Sequence, residues 1–399
     1  MTELRALRNE FVERFGASPN FFQAPGRVNL IGEHTDYNAG FVMPAAIQFY
    51  TTVGMARRTD RRLRVRSTNF SQDFEAPLPD SHAAPLAHGS VAHWSDYVMG
   101  VAQALQRHGV ALSGADLLIH GEVPLGSGLS SSAALEVAVA LALADGVSLD
   151  RISLAKICQR AENDYVGMRC GIMDQFASAC GRSGHALMLD CRSLEHQLLP
   201  LQAPRTHAGP ATQLVICNTM VRHKLAGGEY NRRREQCEAG VRALAQIMRG
   251  VETLRDVSVE GLQMNGAYLD ELLHRRCRHV VTENERVVRA AAALRASDLA
   301  GFGQLMRESH QSLRDDYEVS CDELDLMVSL ADGIDGVYGA RMTGGGFGGC
   351  TVNLVRAEAA PRFAELIAER YRGATGHAPE IFVCEAADGA AALGSGLDS

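Results

Sequence analysis

Three glycine-rich segments carry most of the side chains whose types and spacing indicate chemistry. The first runs from Pro124 to Ala134 (PLGSGLSSSAA), between a strand and an alanine-rich helix. Its glycines let successive backbone N–H groups turn toward one point, and the following helix adds exposed donors and its positive dipole end. We therefore expect a phosphate site whose serine hydroxyls bind phosphate oxygens or Mg²⁺. No Gly-Lys-Ser/Thr follows, so this is not the common P-loop, and the alternative is a serine-capped helix after a flexible turn.

The second segment, from Ala24 to Asn38, packs ionisable groups into a turn bounded by glycines. Glu33, His34 and Asp36 offer two carboxylates and one imidazole, a set that suits sugar hydroxyls or a metal ion. These groups fit a polyol better than an apolar ligand. The alternative is a solvated turn.

The third segment, from Ala340 to Cys350, holds five glycines within six positions and formally contains G-x-G-x-x-G. A dinucleotide fingerprint opens a helix, whereas Thr351 to Val355 has the pattern of a strand, so we reject that interpretation. A wide hairpin loop remains. So many glycines favour a close approach of another backbone or of a ligand.

A fourth set of polar residues lies between the first and third segments. It consists of Glu162 and of Asp174, which is flanked by apolar Ile172, Met173 and Phe176. A buried acid needs a partner, and Arg27 is the obvious cation. The alternative is an ion pair with a purely structural role.

The composition is that of an ordinary globular enzyme. The chain of 399 residues has 39 Lys plus Arg against 47 Asp plus Glu, a net charge of −8, which argues against a nucleic-acid partner. The longest nearly uncharged run, 133–144, is shorter than the ~20 residues of a membrane span, so we expect no membrane partner. None of the ten cysteines is spaced as C-x-x-C, which indicates reduced thiols. The N-terminal residues lack the apolar core of a signal peptide, so we expect a cytoplasmic protein.

The elements that must position these groups follow from hydrophobic periodicity. Helices are predicted at Leu4–Phe15, Trp94–Leu105, Ser132–Ala144, Ile152–Asp164 and Pro361–Arg372. The stretch Tyr230–Leu330 is predicted to be mostly helical. Strands are predicted at Phe41–Ile47, Leu63–Arg66, Asp116–His120, Ala186–Leu189, Gln213–Asn218, Val337–Met342, Thr351–Val355 and Ile381–Cys384. The stretch from Leu194 to Pro204 is interpreted as a connector. We expect two domains, 1–196 and 197–399.

The segments GRVNLIGEHTDY, CGIMDQF, PLGSGLSSSAALE and ARMTGGGFGGC together resemble the motif set of the GHMP small-molecule kinases, and specifically of the galactokinase family. The resemblance runs from about residue 22 to 384. It implies an α+β, two-domain GHMP kinase fold: an N-terminal mixed-sheet domain (ribosomal protein S5 domain 2-like) and a C-terminal antiparallel sheet with helices (ferredoxin-like). It further implies ATP-dependent phosphorylation of α-D-galactose at its C1 hydroxyl, with ATP and Mg²⁺ as the cofactors.

The resemblance also implies roles for individual residues. Asp174 matches the catalytic base, and Arg27 matches the residue that stabilises the transferring phosphoryl group. Sugar contacts are implied for Glu33, His34, Thr35, Asp36, Gly171 and Tyr230. The phosphate loop is Gly126, Ser127, Gly128, Leu129, Ser130, Ser131 and Ser132. Ser132 and Glu162 match the positions that hold Mg²⁺, and Trp94 resembles an aromatic near the adenine, with packing of a helix face as the alternative.

Rival functions remain at this point. A kinase acting on N-acetylgalactosamine is the nearest, a sensor that binds galactose and ATP without turnover is the second, and a hydrolase centred on Asp174 is the third. The run Arg232-Arg233-Arg234 is interpreted as a solvated helix face. We expect a monomer whose partners are galactose and ATP.

Overall fold

The regular elements of the protein alternate between strands and helices along the chain. The computed structural model describes residues 2–81, 93–201, 212–222 and 226–394. The α-helices are α1 (Thr2–Phe15), α2 (Trp94–Arg107), α3 (Ser131–Leu143), α4 (Arg151–Arg160), α5 (Met173–Cys180), α6 (Ala226–Leu244), α7 (Val259–Asn265), α8 (Glu271–Arg295), α9 (Leu299–Ser312), α10 (Asp322–Asp332) and α11 (Ala360–Thr375). The strands are β1 (Asn20–Asn29), β2 (Phe41–Val42), β3 (Pro44–Arg58), β4 (Arg62–Ser67), β5 (Gln72–Pro77), β6 (Gly114–Gly121), β7 (His185–Asp190), β8 (His196–Pro200), β9 (Thr212–Arg222), β10 (Val337–Thr343), β11 (Gly348–Arg356), β12 (Glu380–Cys384) and β13 (Ala391–Gly394).

A six-stranded mixed sheet forms the first half of the molecule, in the order β13-β1-β3-β6-β4-β5. Strands β4 and β6 run parallel, and the other neighbours are antiparallel. Helix α3 packs against β1 and β3. Its small side chains, among them the buried Ala133, Ala134 and Ala138, let the helix approach the sheet closely. The end of the phosphate loop is thereby fixed above β1.

A four-stranded antiparallel sheet, in the order β10-β11-β9-β12, forms the second half, and α9, α10 and α11 pack against its strands. Strand β13 follows this sheet in the chain but pairs with β1 of the mixed sheet. A small antiparallel sheet, β2-β7-β8, completes the strands of the described residues. The α+β class with a mixed and an antiparallel sheet is confirmed, whereas the boundary at 196/197 stays a prediction.

Several predicted elements differ from the structure. The segment from Ala24 is not a turn from its start: it begins within β1, so Arg27 lies on a strand, and the turn follows only after Asn29. The predicted connector 194–204 contains β8, and its residues 202–204 lie outside the described part of the chain. The predicted helix 152–164 ends as an α-helix at Arg160 and continues as one π-helical stretch, Ala161–Val166. The predicted helix after the phosphate loop is confirmed as α3.

Candidate active site

The three glycine-rich segments and the acid segment meet around one cavity of about 390 Å³. Most of the residues predicted for the site line it: Arg27, Glu33, His34, Asp36, Gly126, Gly128, Ser130, Ser131, Ser132, Glu162, Gly171, Asp174 and Tyr230. Thr35, Ser127, Leu129 and Trp94 are not in its wall. Residues remote in the chain thus converge, as a single site requires.

A bidentate ion pair joins two of these residues. Arg27 on β1 donates through Nε to Asp174 Oδ1 at 2.8 Å and through Nη2 to Oδ2 at 2.7 Å. Arg27 Nη1 donates to the Gly128 carbonyl at 2.6 Å, so the guanidinium also touches the phosphate loop. The Asp174 side chain is 28% exposed while Arg27 is 5% exposed. The carboxylate is therefore held rigidly and still faces the cavity.

The phosphate loop leads into α3 through an unusual residue. Ser130 has φ 61°, in the left-handed region, and its hydroxyl does not cap the helix but donates to Asp174 Oδ2 at 2.6 Å. The simple alternative of a serine-capped helix is therefore wrong. Ser131 and Ser132, the first two residues of α3, line the cavity, so the helix end whose N–H groups lack partners within the helix lies at the cavity wall.

Two loop residues predicted to contact a cofactor support the loop from within. The Ser127 hydroxyl donates to the Pro124 carbonyl at 2.7 Å. The Leu129 side chain is buried in the core, and its carbonyl accepts from the Arg27 backbone N–H at 3.1 Å. The Ser127 hydroxyl is thus engaged within the loop, and the Leu129 side chain is engaged in the core.

The third glycine segment packs directly on the phosphate loop. A Cβ at Gly344, whose φ is +85°, would lie 2.9 Å from the Gly128 carbonyl oxygen, and one at Gly349 would lie 3.1 Å from the Ser127 carbonyl oxygen. The predicted close approach of another backbone is thus confirmed, and β10 and β11 form the predicted hairpin. The glycines let the two loops pack backbone against backbone.

The acidic turn presents Glu33 and Asp36 to the cavity. Glu33 Oε1 accepts from the Gly344 N–H at 2.7 Å, and burial raises the pKa of Glu33 despite nearby Arg341 and Arg27. Burial and the charge of Asp174 raise the pKa of Asp36 to about 7. Gly171 lies so close that a Cβ there would be 2.0 Å from Asp36 Oδ2. Asp36 is thus fixed between Gly171 and its own turn.

His34 stands beside the acids with φ 62° and a neutral ring, because burial lowers its pKa well below the usual value. Its Nδ1 lies 2.9 Å from the Tyr37 hydroxyl, and the Tyr230 ring is 5.5 Å away. Thr35 does not reach the cavity: its hydroxyl lies 2.8 Å from the Gly32 carbonyl and 2.6 Å from that of Phe41. Thr35 therefore holds the turn in shape.

A buried acid pair behind the cavity was missed by sequence reasoning. Gln175 Nε2 donates to Glu162 Oε2 at 2.6 Å and to Glu136 Oε2 at 2.9 Å. Burial and the charge of Asp174 raise the pKa of Glu162 to about 7, and burial beside Glu162 raises that of Glu136 well above its usual range. The available signal was Glu136 itself, the one charged residue in the apolar run 133–144.

A second cavity of about 270 Å³ adjoins the first, since Ser131 and Ser132 line both. Trp94, Phe70 and Tyr97 contribute aromatic walls. The Trp94 ring stacks on Phe70 at 6.3 Å between centroids and 14° between planes, and its Nε1 donates to Gln72 at 3.0 Å. The second cavity thus offers flat aromatic surface beside the serines that line both cavities.

The sequence matches three family models: the galactokinase galactose-binding signature at residues 9–57, the GHMP kinases N terminal domain at 96–182 and the GHMP kinases C terminal domain at 290–373. A galactokinase of Roseiflexus sp. is 45% identical over 98% of this chain and 97% of the relative, and the galactokinase of Homo sapiens is 46% identical over 98% and 96%. The crystal structure of Lactococcus lactis galactokinase complexed with galactose superposes with a TM-score of 0.91 at 36% identity, covering 98% of this chain and all of that one.

Proposed function

Because the chain belongs to the galactokinase family of GHMP kinases, we propose that it transfers the γ-phosphoryl group of ATP to the C1 hydroxyl of α-D-galactose. The products are galactose 1-phosphate and ADP. The observation that carries this proposal is the Asp174 carboxylate, held by Arg27 and Ser130 at the point where the phosphate loop and the acidic turn face the same cavity.

Asp174 is the proposed base. Its carboxylate accepts the proton of the C1 hydroxyl, the freed oxygen attacks the γ-phosphorus, and the bond to the β-phosphate oxygen breaks to release ADP. Arg27 both orients Asp174 through two hydrogen bonds and places a fixed positive charge beside the transferring group. Phosphoryl transfer depends on such positioning and charge stabilisation more than on covalent chemistry.

ATP binding is proposed across the two adjoining cavities. The smaller one, with Trp94, Phe70 and Tyr97, suits the adenine, and the loop of Gly126, Gly128 and Ser130–Ser132 suits the phosphates. Backbone N–H groups of the loop and the positive end of α3, which is 13 residues long, favour an anion there. The triphosphate would then end next to Arg27 and Asp174.

Mg²⁺ fits the donor set of the site. Glu162 and Ser132 both line the cavity and are hydrogen-bonded to each other, and their oxygens are ligands that Mg²⁺ prefers. Burial and the charge of Asp174 raise the pKa of Glu162, and a divalent cation would relieve the repulsion between the two carboxylates. No group of three or more His, Cys, Asp or Glu side chains in the described part of the chain could hold a metal by itself, so phosphate oxygens and water would complete the shell. When bound, Mg²⁺ neutralises the charge that develops on the phosphates.

The hexose is proposed to bind among Glu33, His34, Asp36, Gly171 and Tyr230. The carboxylates accept hydrogen bonds from sugar hydroxyls, and Gly171, which lies against Asp36, leaves room for that side chain. A polar wall of this kind penalises a sugar with a misplaced hydroxyl, because buried polar groups then lose their partners. Thr35 contributes by shaping the turn.

A coupled ADP-release assay with galactose, with N-acetylgalactosamine and without sugar tests the proposal. We expect turnover with galactose, a kcat/KM for N-acetylgalactosamine lower by ~10²-fold or more, and little ADP release without sugar. Phosphorus NMR of the product should show a phosphate on the anomeric carbon. Sugar binding without ADP release would identify a sensor instead, and rapid ADP release without sugar would identify a hydrolase.

The cellular location and the oligomeric state of the protein are further parts of the proposal. No helix within the described residues is long and apolar enough to cross a membrane. We propose that the protein works in the cytoplasm as a monomer, and size-exclusion chromatography with light scattering would test the latter.

A further inference from the structure

A chain of hydrogen bonds leads from His34 away from the cavity into the protein interior. His34 Nδ1 lies 2.9 Å from the Tyr37 hydroxyl, which lies 2.7 Å from the Tyr317 hydroxyl, and this in turn lies 3.1 Å from Cys237 Sγ. Tyr317 and Cys237 are fully buried, and Tyr37 is half-buried. We call Tyr37, Tyr317 and Cys237 the His34 relay.

Every member of the relay is neutral and carries one proton. Burial raises the pKa of Tyr37 and of Tyr317 well above the usual value and raises that of Cys237 to about 11, so two phenols and a thiol persist. Burial, with His279 and Arg233 nearby, keeps the pKa of His34 well below its usual value. The imidazole therefore has one N–H and one bare nitrogen, and the protons of the chain point either all toward His34 or all away from it.

The chemistry of the bonds decides the direction. An imidazole nitrogen is a stronger base than a phenol oxygen, and a phenol is a stronger acid than a neutral imidazole N–H, so Tyr37 O–H to Nδ1 is the better bond. With Tyr37 donating to Nδ1, the Tyr317 hydroxyl donates to the Tyr37 oxygen, and the Cys237 S–H donates to the Tyr317 oxygen.

The other side of the ring agrees with this direction. Nε2 is buried, and the described residues offer it no well-formed hydrogen bond, while His34 lines the cavity. A proton on Nε2 is therefore available to a ligand in the cavity.

We propose that the His34 relay fixes His34 as the Nε2–H tautomer, so that His34 meets the hexose as a hydrogen-bond donor. A sugar hydroxyl that accepts from Nε2 keeps its own proton and can donate it to a carboxylate of the same wall, such as Glu33 or Asp36. Tyr37, Tyr317 and Cys237 are positioning residues that act through His34. The assignment of the ligand as a hexose rests on the proposed function, whereas the tautomer does not.

Long-range ¹H–¹⁵N correlation spectra of the protein labelled at histidine nitrogens test the tautomer directly, with His34→Gln used to assign the His34 signals. We expect the Nε2–H pattern in the unmodified protein and signals of the other tautomer in Tyr37→Phe. Cys237→Ser, which keeps a donor at the end of the relay, should retain the Nε2–H pattern. A Nδ1–H pattern in the unmodified protein would overturn the proposal even if every variant failed to fold.

Kinetics provide the second measurement. Tyr37→Phe should raise the KM for galactose about tenfold, the usual worth of one hydrogen bond, with kcat and the KM for ATP little changed, because the contact exists before and during transfer. Tyr371→Phe is the matched control, since Tyr371 is also buried and its hydroxyl donates to the Thr219 carbonyl at 3.2 Å, outside the cavity wall. A Tyr37→Phe variant with unchanged spectrum and unchanged KM would refute the relay. An Nε2–H spectrum in a protein that does not phosphorylate galactose would instead overturn the proposed function and leave the tautomer standing.

Discussion

Replacing Gly171 with alanine should disable sugar binding while sparing the fold. The added Cβ would lie 2.0 Å from Asp36 Oδ2 and 2.1 Å from Asp36 Cγ. Because non-bonded carbon and oxygen atoms stay at least about 3 Å apart, the Asp36 carboxylate must move by about 1 Å. Gly171 does not have a positive φ, so alanine fits its backbone. The displaced atoms form the end of a side chain and not of a strand or helix.

A displacement of about 1 Å in a positioned group costs about 10²-fold in rate. We therefore expect Gly171→Ala to lower kcat/KM for galactose by about 10²-fold, while the KM for ATP changes less than threefold. The assay is ADP release with galactose varied at saturating ATP. Thermal unfolding should show a Tm close to that of the unmodified protein.

Two further variants make the test specific. Gly373→Ala, in α11 with nothing within 4 Å of the new Cβ, is the control and should keep full activity with a slightly raised Tm. In an Asp36→Gly background, Gly171→Ala should add almost nothing, since the Asp36 atoms nearest to the new methyl group, Oδ2, Cγ and Cβ, are then absent. If Gly171→Ala kept its kcat/KM for galactose, Asp36 would not be a sugar contact and the proposed arrangement of the turn would be refuted.

Three other predictions follow from the same geometry. An acid whose pKa is raised in the folded state adds stability below its unfolded pKa, and this stability is lost as the pH rises through the folded pKa. Asp36→Asn should therefore have the Tm of the unmodified protein near pH 4 and a higher Tm at pH 8, with a gain in unfolding free energy of up to about 4 kcal/mol for a pKa moved from 3.8 to about 7. Equal Tm values at pH 8 would contradict this. Trp94→Ala should raise the KM for ATP about fivefold, the worth of one aromatic stack, without changing that for galactose; an unchanged KM for ATP would place the adenine elsewhere. Gly344→Ala should lower kcat/KM for both substrates and destabilise the fold by at least about 1 kcal/mol, because φ is +85° and the Gly128 carbonyl blocks the Cβ; wild-type kinetics would show that the two glycine loops need no close contact.

The motif segments, and the family resemblance that they carry, predict most of the residues that line the cavity. Arg27 and Asp174 form the predicted ion pair, and Glu162 lines the same cavity, whereas its role as a Mg²⁺ ligand stays a prediction. Strand β1 was missed since Pro25 and Gly26 interrupt its pattern, although the chain keeps pairing with β3 on both sides through an irregular register. Local patterns carry no information on such tertiary support.

Long-range contacts explain the remaining failures. Gln175 joins Glu136 to Glu162 across 39 and 13 residues, a contact that no local spacing reveals. Arg233, interpreted as part of a solvated face, is 6% exposed and donates to the Tyr317 carbonyl at 2.8 Å. Its neighbour Arg232 is exposed, as predicted for the whole run. Arg233 thus faces the protein interior, whereas Arg232, the residue before it on α6, faces solvent.

Single-turnover phosphoryl transfer by Asp174→Asn tests the central claim most directly. The substitution keeps the shape of the side chain and removes its ability to accept the sugar proton, so binding of galactose and ATP measured by calorimetry should persist. We predict that the transfer step, followed with labelled ATP in excess enzyme, slows by ~10²–10⁴-fold. Transfer at the unmodified rate by a folded, substrate-binding Asp174→Asn protein would contradict the account.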